Sequence, residues 1–222
     1  MIHKYAVIHS HTNPYEWLEI LNTFSDENKK ALSDSYPADH YRTISEHSNA
    51  RQYHYDARGL ISLSGKLHHV EMLSEVWQQL VHYLNSKTYK DFIFRITGIQ
   101  VAHLPLEANL YKYHKDCFMD AHQDMKTKVL THVIYFNPDW LESDGGCLRI
   151  LNSSDPEDVH AKVLPNIGNS VVIIRSDTSW HSVEKTRIDK SRRAITVTFY
   201  TEGAPSPMWD DQTQYDLHSN DF

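Results

Sequence analysis

Two textures of hydrophobic patterning divide the chain. Over roughly the first ninety residues, apolar positions recur at three- and four-residue spacing, the period of a helix face. Trp17, Leu18, Ile20, Leu21 and Phe24 follow Asn13-Pro14, a helix-start signal. Val70, Leu73, Val76, Trp77, Leu80, Val81 and Leu84 form one continuous amphipathic face, predicting a second helix over 70–84. Residues 36–66 carry few strong signals and read as loops with a short strand around Leu60–Leu63. From about residue 92, short β-rich runs succeed one another: Phe92–Ile96, Ile99–Leu104, Leu110–His114, Leu130–Phe136, Cys147–Leu151, Val159–Leu164, Ser170–Arg175 and Arg193–Tyr200. Turn-formers such as Asn137-Pro138-Asp139 and Asp144-Gly145-Gly146 separate them. Helices followed by strands predict a mostly β chain with N-terminal helices, its core a double-sheet jelly roll, or double-stranded β-helix. The expected organisation is a single domain in which residues 1–90 form a helical support and residues 91–222 the jelly-roll core.

Composition narrows the class of molecule without changing that picture. With 40% hydrophobic and 23% charged residues in 222, the chain can bury a sizeable core. A formal net charge of −7 and no Lys/Arg block speak against nucleic acid as a partner. No apolar run approaches a membrane span and the first residues lack a signal-peptide core, so no membrane association is expected. Two cysteines, Cys117 and Cys147, are too few for a disulfide framework and suit a cytoplasmic location.

The candidate chemistry centres on His122-Gln123-Asp124. In an extended segment residues i and i+2 point to one side, so an imidazole and a carboxylate can meet one ion. A His-x-Asp alone is weak in a chain with 16 histidines, and a second copy stands at His54-Tyr55-Asp56. Context separates the two. His181 lies 57 residues beyond Asp124, and the Ser191-Arg192-Arg193-Ala194-Ile195-Thr196-Val197 segment follows it, whereas no such arginine strand follows the His54 copy. Two histidines and one carboxylate on one face of an octahedron suit Fe(II) and leave positions open for a chelating co-substrate and dioxygen. The far carboxylate of a 2-oxo diacid would then need a planar, bidentate cation, which is an arginine's task.

These residues resemble the Fe(II)/2-oxoglutarate-dependent dioxygenases, particularly the prolyl-4-hydroxylase-like branch. The resemblance extends through Thr131–Trp140 and Gly145–Ile150, covering residues 105–200 in compatible order. It implies Fe(II) held by His122, Asp124 and His181, which together form the catalytic centre, and 2-oxoglutarate as co-substrate. It assigns the far carboxylate of 2-oxoglutarate to Arg192, with Arg193 as the rival one residue out of phase. Tyr135 and Tyr113 are implied as further co-substrate contacts, Tyr111 being the alternative to Tyr113. Asp124 occupies the position that related radical halogenases give to a small residue, so hydroxylation is expected rather than halogenation. Met119 replaces a frequent tyrosine, and Thr198 replaces the indole of hypoxia-sensing prolyl hydroxylases. The segments Leu104–Glu107 and Ser206–Trp209 are similar to small bacterial oxygenases acting on free amino acids. The expected substrate is therefore a small molecule, a free amino acid or related metabolite. Glu107 is the candidate for an amine, Arg149 for a carboxylate, and Thr198 and Trp209 for pocket walls. The competing readings are a protein hydroxylase acting on a prolyl or other side chain, and a jelly-roll metal-binding module without turnover.

Overall fold

The computed structural model describes residues 1–48 and 51–205. Strands β1 (Val7–His11) and β2 (Trp17–Leu21) precede helix α1 (Asp26–Asp34), and β3 (Arg42–Ser48) and β4 (Arg51–Ile61) follow it. Helices α2 (Glu75–Leu84) and α3 (Lys87–Thr97) come next, and the rest is strand: β5 (Leu106–Tyr113), β6 (Phe118–His122), β7 (Lys128–Tyr135), β8 (Leu148–Leu151), β9 (Val159–Val163), β10 (Ser170–Ile174), β11 (His181–Val183) and β12 (Arg192–Tyr200). All pairings are antiparallel and run β1-β2-β10-β7-β12-β5-β4-β6-β11-β8-β9, with β3 on β4. The long β4 turns the corner: Asp56–Ile61 pair with β5, while Tyr53 and His54 pair with β6. The sheet thereby curls into the two facing halves of a jelly roll, mostly β as the patterning predicts.

Alternation along the strands separates two apolar layers. Leu106, Ala108 and Leu110 of β5, Leu130 and Ile134 of β7, and Ile195, Val197 and Phe199 of β12 pack against the helices through Trp77, Leu80, Leu84 and Tyr89. The opposite faces of the same strands look into the roll, where Tyr113, Tyr135 and Ala194 meet Leu148, Ile150, Ile173 and Val183. Residues 75–84 are helical as the periodicity predicts, although Val70–Met72 is a 3-10 turn ahead of Ser74, and the α-helix starts at Glu75.

Several segments differ from the patterning. Residues 17–21 are strand β2, not helix. Asn22 at φ 55° ends the run after five residues, too short for a helix. The strand has apolar groups on both faces, Leu18 and Ile20 towards the helices and Trp17 into the roll, and so shows no two-residue alternation. Phe92–Ile96 is the reverse case, the last turns of α3. The Ser86 side chain caps its start by accepting from Tyr89 N, and Gly98 at φ 72° closes its end. Ile99–Leu104 is a connecting loop. Of the expected short strand at 60–63, Leu60 and Ile61 are the end of an eleven-residue strand, β4, paired with β3, and Ser62 and Leu63 lie beyond it. Four strands before residue 90 therefore belong to the same sheet as the later ones, so the expected helical support over residues 1–90 also carries part of that sheet. No helix among the described residues is long and apolar enough to cross a membrane.

Candidate metal centre and its cavity

Neighbouring strands of the smaller half bring the two histidines together. β6 and β11 are antiparallel with His122 directly opposite His181, and the ring centroids lie 4.2 Å apart. Asp124 follows β6 by two residues and is buried. One ligand atom from each of His122, Asp124 and His181 falls within 4.8 Å of the others, the sole such His/Cys/Asp/Glu group among the described residues. The second His-x-Asp is in no such group: Asp56 pairs with His114 Nε2 at 2.9 Å and accepts from Thr43.

Each histidine is held by a backbone carbonyl two residues earlier, His122 Nδ1 by Asp120 O at 2.8 Å and His181 Nδ1 by Ser179 O at 3.0 Å. A carbonyl can only accept, so Nδ1 carries the proton and in the neutral ring Nε2 bears the lone pair. Asp124 is fixed at both oxygens: Thr131 Oγ1 donates to Oδ2 at 2.8 Å and Lys128 Nζ to Oδ1 at 2.6 Å. Burial pushes the Asp124 carboxyl up, but Lys128, His181 and His122 outweigh it and hold the group well below the usual carboxylate range. An ionised carboxylate with two Nε2 lone pairs on one side is a donor set that fits a divalent ion with positions left open.

Strand phase decides between the two arginines. On β12, Arg192, Ala194, Thr196, Thr198 and Tyr200 line a cavity of about 240 Å³ around the triad. Arg193 faces the other way, over the Tyr36 ring and towards Ser33 O. Arg192 is 2% exposed, and its guanidinium carbon lies 5.0 Å from the Tyr113 ring and 5.2 Å from the Tyr135 ring. Its Nε donates to Gly146 O at 2.6 Å. Gly146 has φ +69°, and a Cβ there would stand 3.1 Å from Arg192 Cδ, so the glycine makes room for the arginine. No described carboxylate lies within ion-pair distance of Arg192. A buried cation without a carboxylate beside it is costly alone and fits an anionic ligand such as the far carboxylate of 2-oxoglutarate. Tyr111 also lines the cavity, but it is the Tyr113 ring that lies against Arg192.

The expected substrate contacts divide. Glu107 and Thr198 line the cavity, directly opposite one another in the β5–β12 pairing. Arg149 does not: it lies on the outer face of β8, its Nη1 on Pro156 O and its Nε 3.8 Å from Glu184. The neighbouring Leu148 takes the inward position, so the alternation of β8 removes Arg149 from the site. Trp209 lies outside the described residues. Lys128, Thr131, Asn109, Tyr55 and Tyr200 also line the cavity and were not singled out by motif reading. Two-residue spacing from Tyr135 back to Thr131, and from Tyr113 back to Asn109, is the signal that points to two of them.

The family model of the 2OG-Fe(II) oxygenase superfamily matches residues 108–200. No curated protein sequence matches the chain. Among solved structures, a prolyl-4-hydroxylase of Pseudomonas putida is similar with a TM-score of 0.59 and 18% identity, over 84% of this chain and 93% of that one. A prolyl hydroxylase of Trichoplax adhaerens, in complex with a hypoxia inducible factor peptide fragment, gives 0.61 and 15% over 83% of both chains. A 2OG-Fe(II) oxygenase family oxidoreductase of Burkholderia pseudomallei gives 0.51 and 15%, over 77% of this chain and 76% of that one. At these identities the structures share the fold. His122, Asp124, His181 and Arg192 all fall inside residues 108–200, the segment that matches the model of the 2OG-Fe(II) oxygenase superfamily.

Proposed function

We propose that this enzyme hydroxylates an unactivated C–H bond of a small molecule, a free amino acid or related metabolite. In this reading His122, Asp124 and His181 hold Fe(II), while Arg192, Tyr135 and Tyr113 hold 2-oxoglutarate. The observation that carries it is the convergence of the three ligand atoms within 4.8 Å of one another inside a cavity that also contains a buried arginine without a carboxylate.

The iron and 2-oxoglutarate used by this family supply the oxidising power: dioxygen places one oxygen atom on the substrate and one on the co-substrate, which leaves as succinate and carbon dioxide. The chain's own residues position the reactants. The backbone carbonyls of Asp120 and Ser179 keep both imidazoles in the tautomer that offers Nε2. Thr131 orients the Asp124 carboxylate. Arg192, between two tyrosine rings, fixes the far end of the diacid and sets its distance from the triad. Apolar side chains at Val133, Leu148, Ile173 and Val183 line that part of the cavity and exclude bulk water.

The cavity, at about 240 Å³, is below the roughly 300–1,000 Å³ common for drug-sized ligands, which favours a compact partner beside the co-substrate. A protein hydroxylase is the second reading, favoured by the shared fold with the peptide-bound Trichoplax adhaerens enzyme. A cytoplasmic location belongs to the same proposal, supported by two unpaired, buried cysteines.

Anaerobic Fe(II) reconstitution followed by succinate measurement over free amino acids, nucleosides and prolyl peptides tests this reading. Stimulation of succinate release by a free amino acid or other small metabolite is expected. Stimulation by peptides alone would replace it with the second reading.

A further inference from the structure

The cavity has a second charged end. Arg192 and Thr198 are six positions apart on β12, or about 20 Å along the strand, and Thr198 stands opposite both Glu107 and Thr131. At that end Glu107 is buried, its carboxylate accepts from Asn109 Nδ2, and Tyr200 lines the cavity with it. Tyr200 in turn stands opposite Lys128 on β7, just past a shift of register after Phe199. Glu107, Tyr200 and Lys128 thus share this end of the cavity, and the Lys128 ammonium lies on Asp124.

That contact is the informative one. Thr131 holds Oδ2 of Asp124 and Lys128 holds Oδ1, so the carboxylate the triad offers to a metal already carries a cation. A divalent ion drawing on Asp124 would repel a second cation on the same carboxylate. Lys128 has a flexible four-carbon stem and lines the cavity, so its ammonium can leave Asp124 without leaving the site. A cation released in this way needs an anion, and Arg149, the sequence's candidate for that task, faces outwards.

Resting on the small-molecule reading above, we infer that the substrate is a zwitterion, its carboxylate bound by Lys128 and its ammonium by Glu107. An α-amino acid or a comparably compact amino acid has this chemistry. The two side chains then decide which compounds enter, while the triad and Arg192 serve the co-substrate.

The test uses full-length protein loaded anaerobically with Mn(II) and 2-oxoglutarate, so that binding is read by calorimetry without turnover. The probes are the twenty common L-amino acids, their carboxamides and their deaminated acids. At least one amino acid should bind, with its carboxamide and its deaminated acid each weaker by about tenfold or more. Lys128→Met should bring the acid-to-carboxamide ratio close to one, and Lys128→Arg should restore it. Glu107→Gln should collapse the preference for the amine and leave the carboxamide ratio high. If an amino acid binds and its carboxamide ratio survives Lys128→Met, the Lys128 assignment is overturned while the small-molecule reading stands. If none of the probes binds and a prolyl peptide instead drives succinate release by the iron enzyme, the small-molecule reading itself falls.

Discussion

Single side chains decide the chemistry here, and the arginine pair shows how. Arg192 and Arg193 are adjacent and chemically identical, yet one lies between Tyr113 and Tyr135 in the cavity and the other over Tyr36 on the far face of the sheet. The two-residue period of β12 makes the distinction, and the sequence leaves it open because the strand's phase depends on its neighbours. Arg192→Ala should therefore raise the KM for 2-oxoglutarate by roughly a hundredfold or more, the scale of losing a buried ion pair. Arg193→Ala should shift it by only a few-fold, and steady-state kinetics with varied 2-oxoglutarate would reveal an inverted ranking. The grouping of His122, Asp124 and His181 was legible because residue type and spacing carry it, whereas the choice between Arg192 and Arg193 waited on the strand's phase. Arg149 was misplaced because a residue type alone does not say which face of β8 it occupies. Lys128 and Thr131 belong to no motif, since their role depends on which carboxylate the fold sets beside them.

At the scale of elements, the helices form the back of the molecule, and a buried histidine joins them to the sheet. His132 on β7 faces away from the cavity, and its Nδ1 lies 2.9 Å from the Tyr89 hydroxyl of α3. Burial holds its pKa down to about 3, so it is neutral in the folded protein. The sign of the linkage follows: below the ordinary value near 6.5 the unfolded chain takes up a proton that the folded chain refuses. This contribution to stability is complete above pH 6.5 and falls by about 1.4 kcal/mol per pH unit down to about pH 3. Chemical denaturation of wild type and His132→Gln across pH 4 to 7 should show a shallower acid loss in the variant; parallel profiles would contradict a buried neutral imidazole. Trp77, fully buried on α2 with its indole N–H on Leu32 O, locks α1 to α2, and Trp77→Ala should cost about 3–5 kcal/mol in the same assay. α2 was legible because one face is polar. α3 and β2 were not: β2 is apolar on both faces, and the Phe92–Ile96 end of α3 is a short run that reads as strand until its caps, Ser86 and Gly98, are seen.

For the molecule as a whole, function depends on the curl of one sheet. Helices on its convex side support β5, β7 and β12, whose other faces supply Glu107, Thr131, Tyr135 and Arg192. The smaller half closes over them with His122 and His181. The jelly-roll class could be read from the succession of short strands after residue 92. The contribution of β3 and β4 could not, because Arg42–Ser48 and Arg51–Ile61 are too polar to read as strands, and their pairing with β5 and β6 is a long-range property. The account therefore depends on β6 and β11 meeting at one ion. Anaerobic titration of the protein with Fe(II) in the presence of 2-oxoglutarate, compared with His122→Ala, Asp124→Ala and His181→Ala, tests this directly. One tightly bound iron per wild-type chain, lost with all succinate production in each variant, is the predicted result. Stoichiometric iron and continued turnover in any of the three would contradict it.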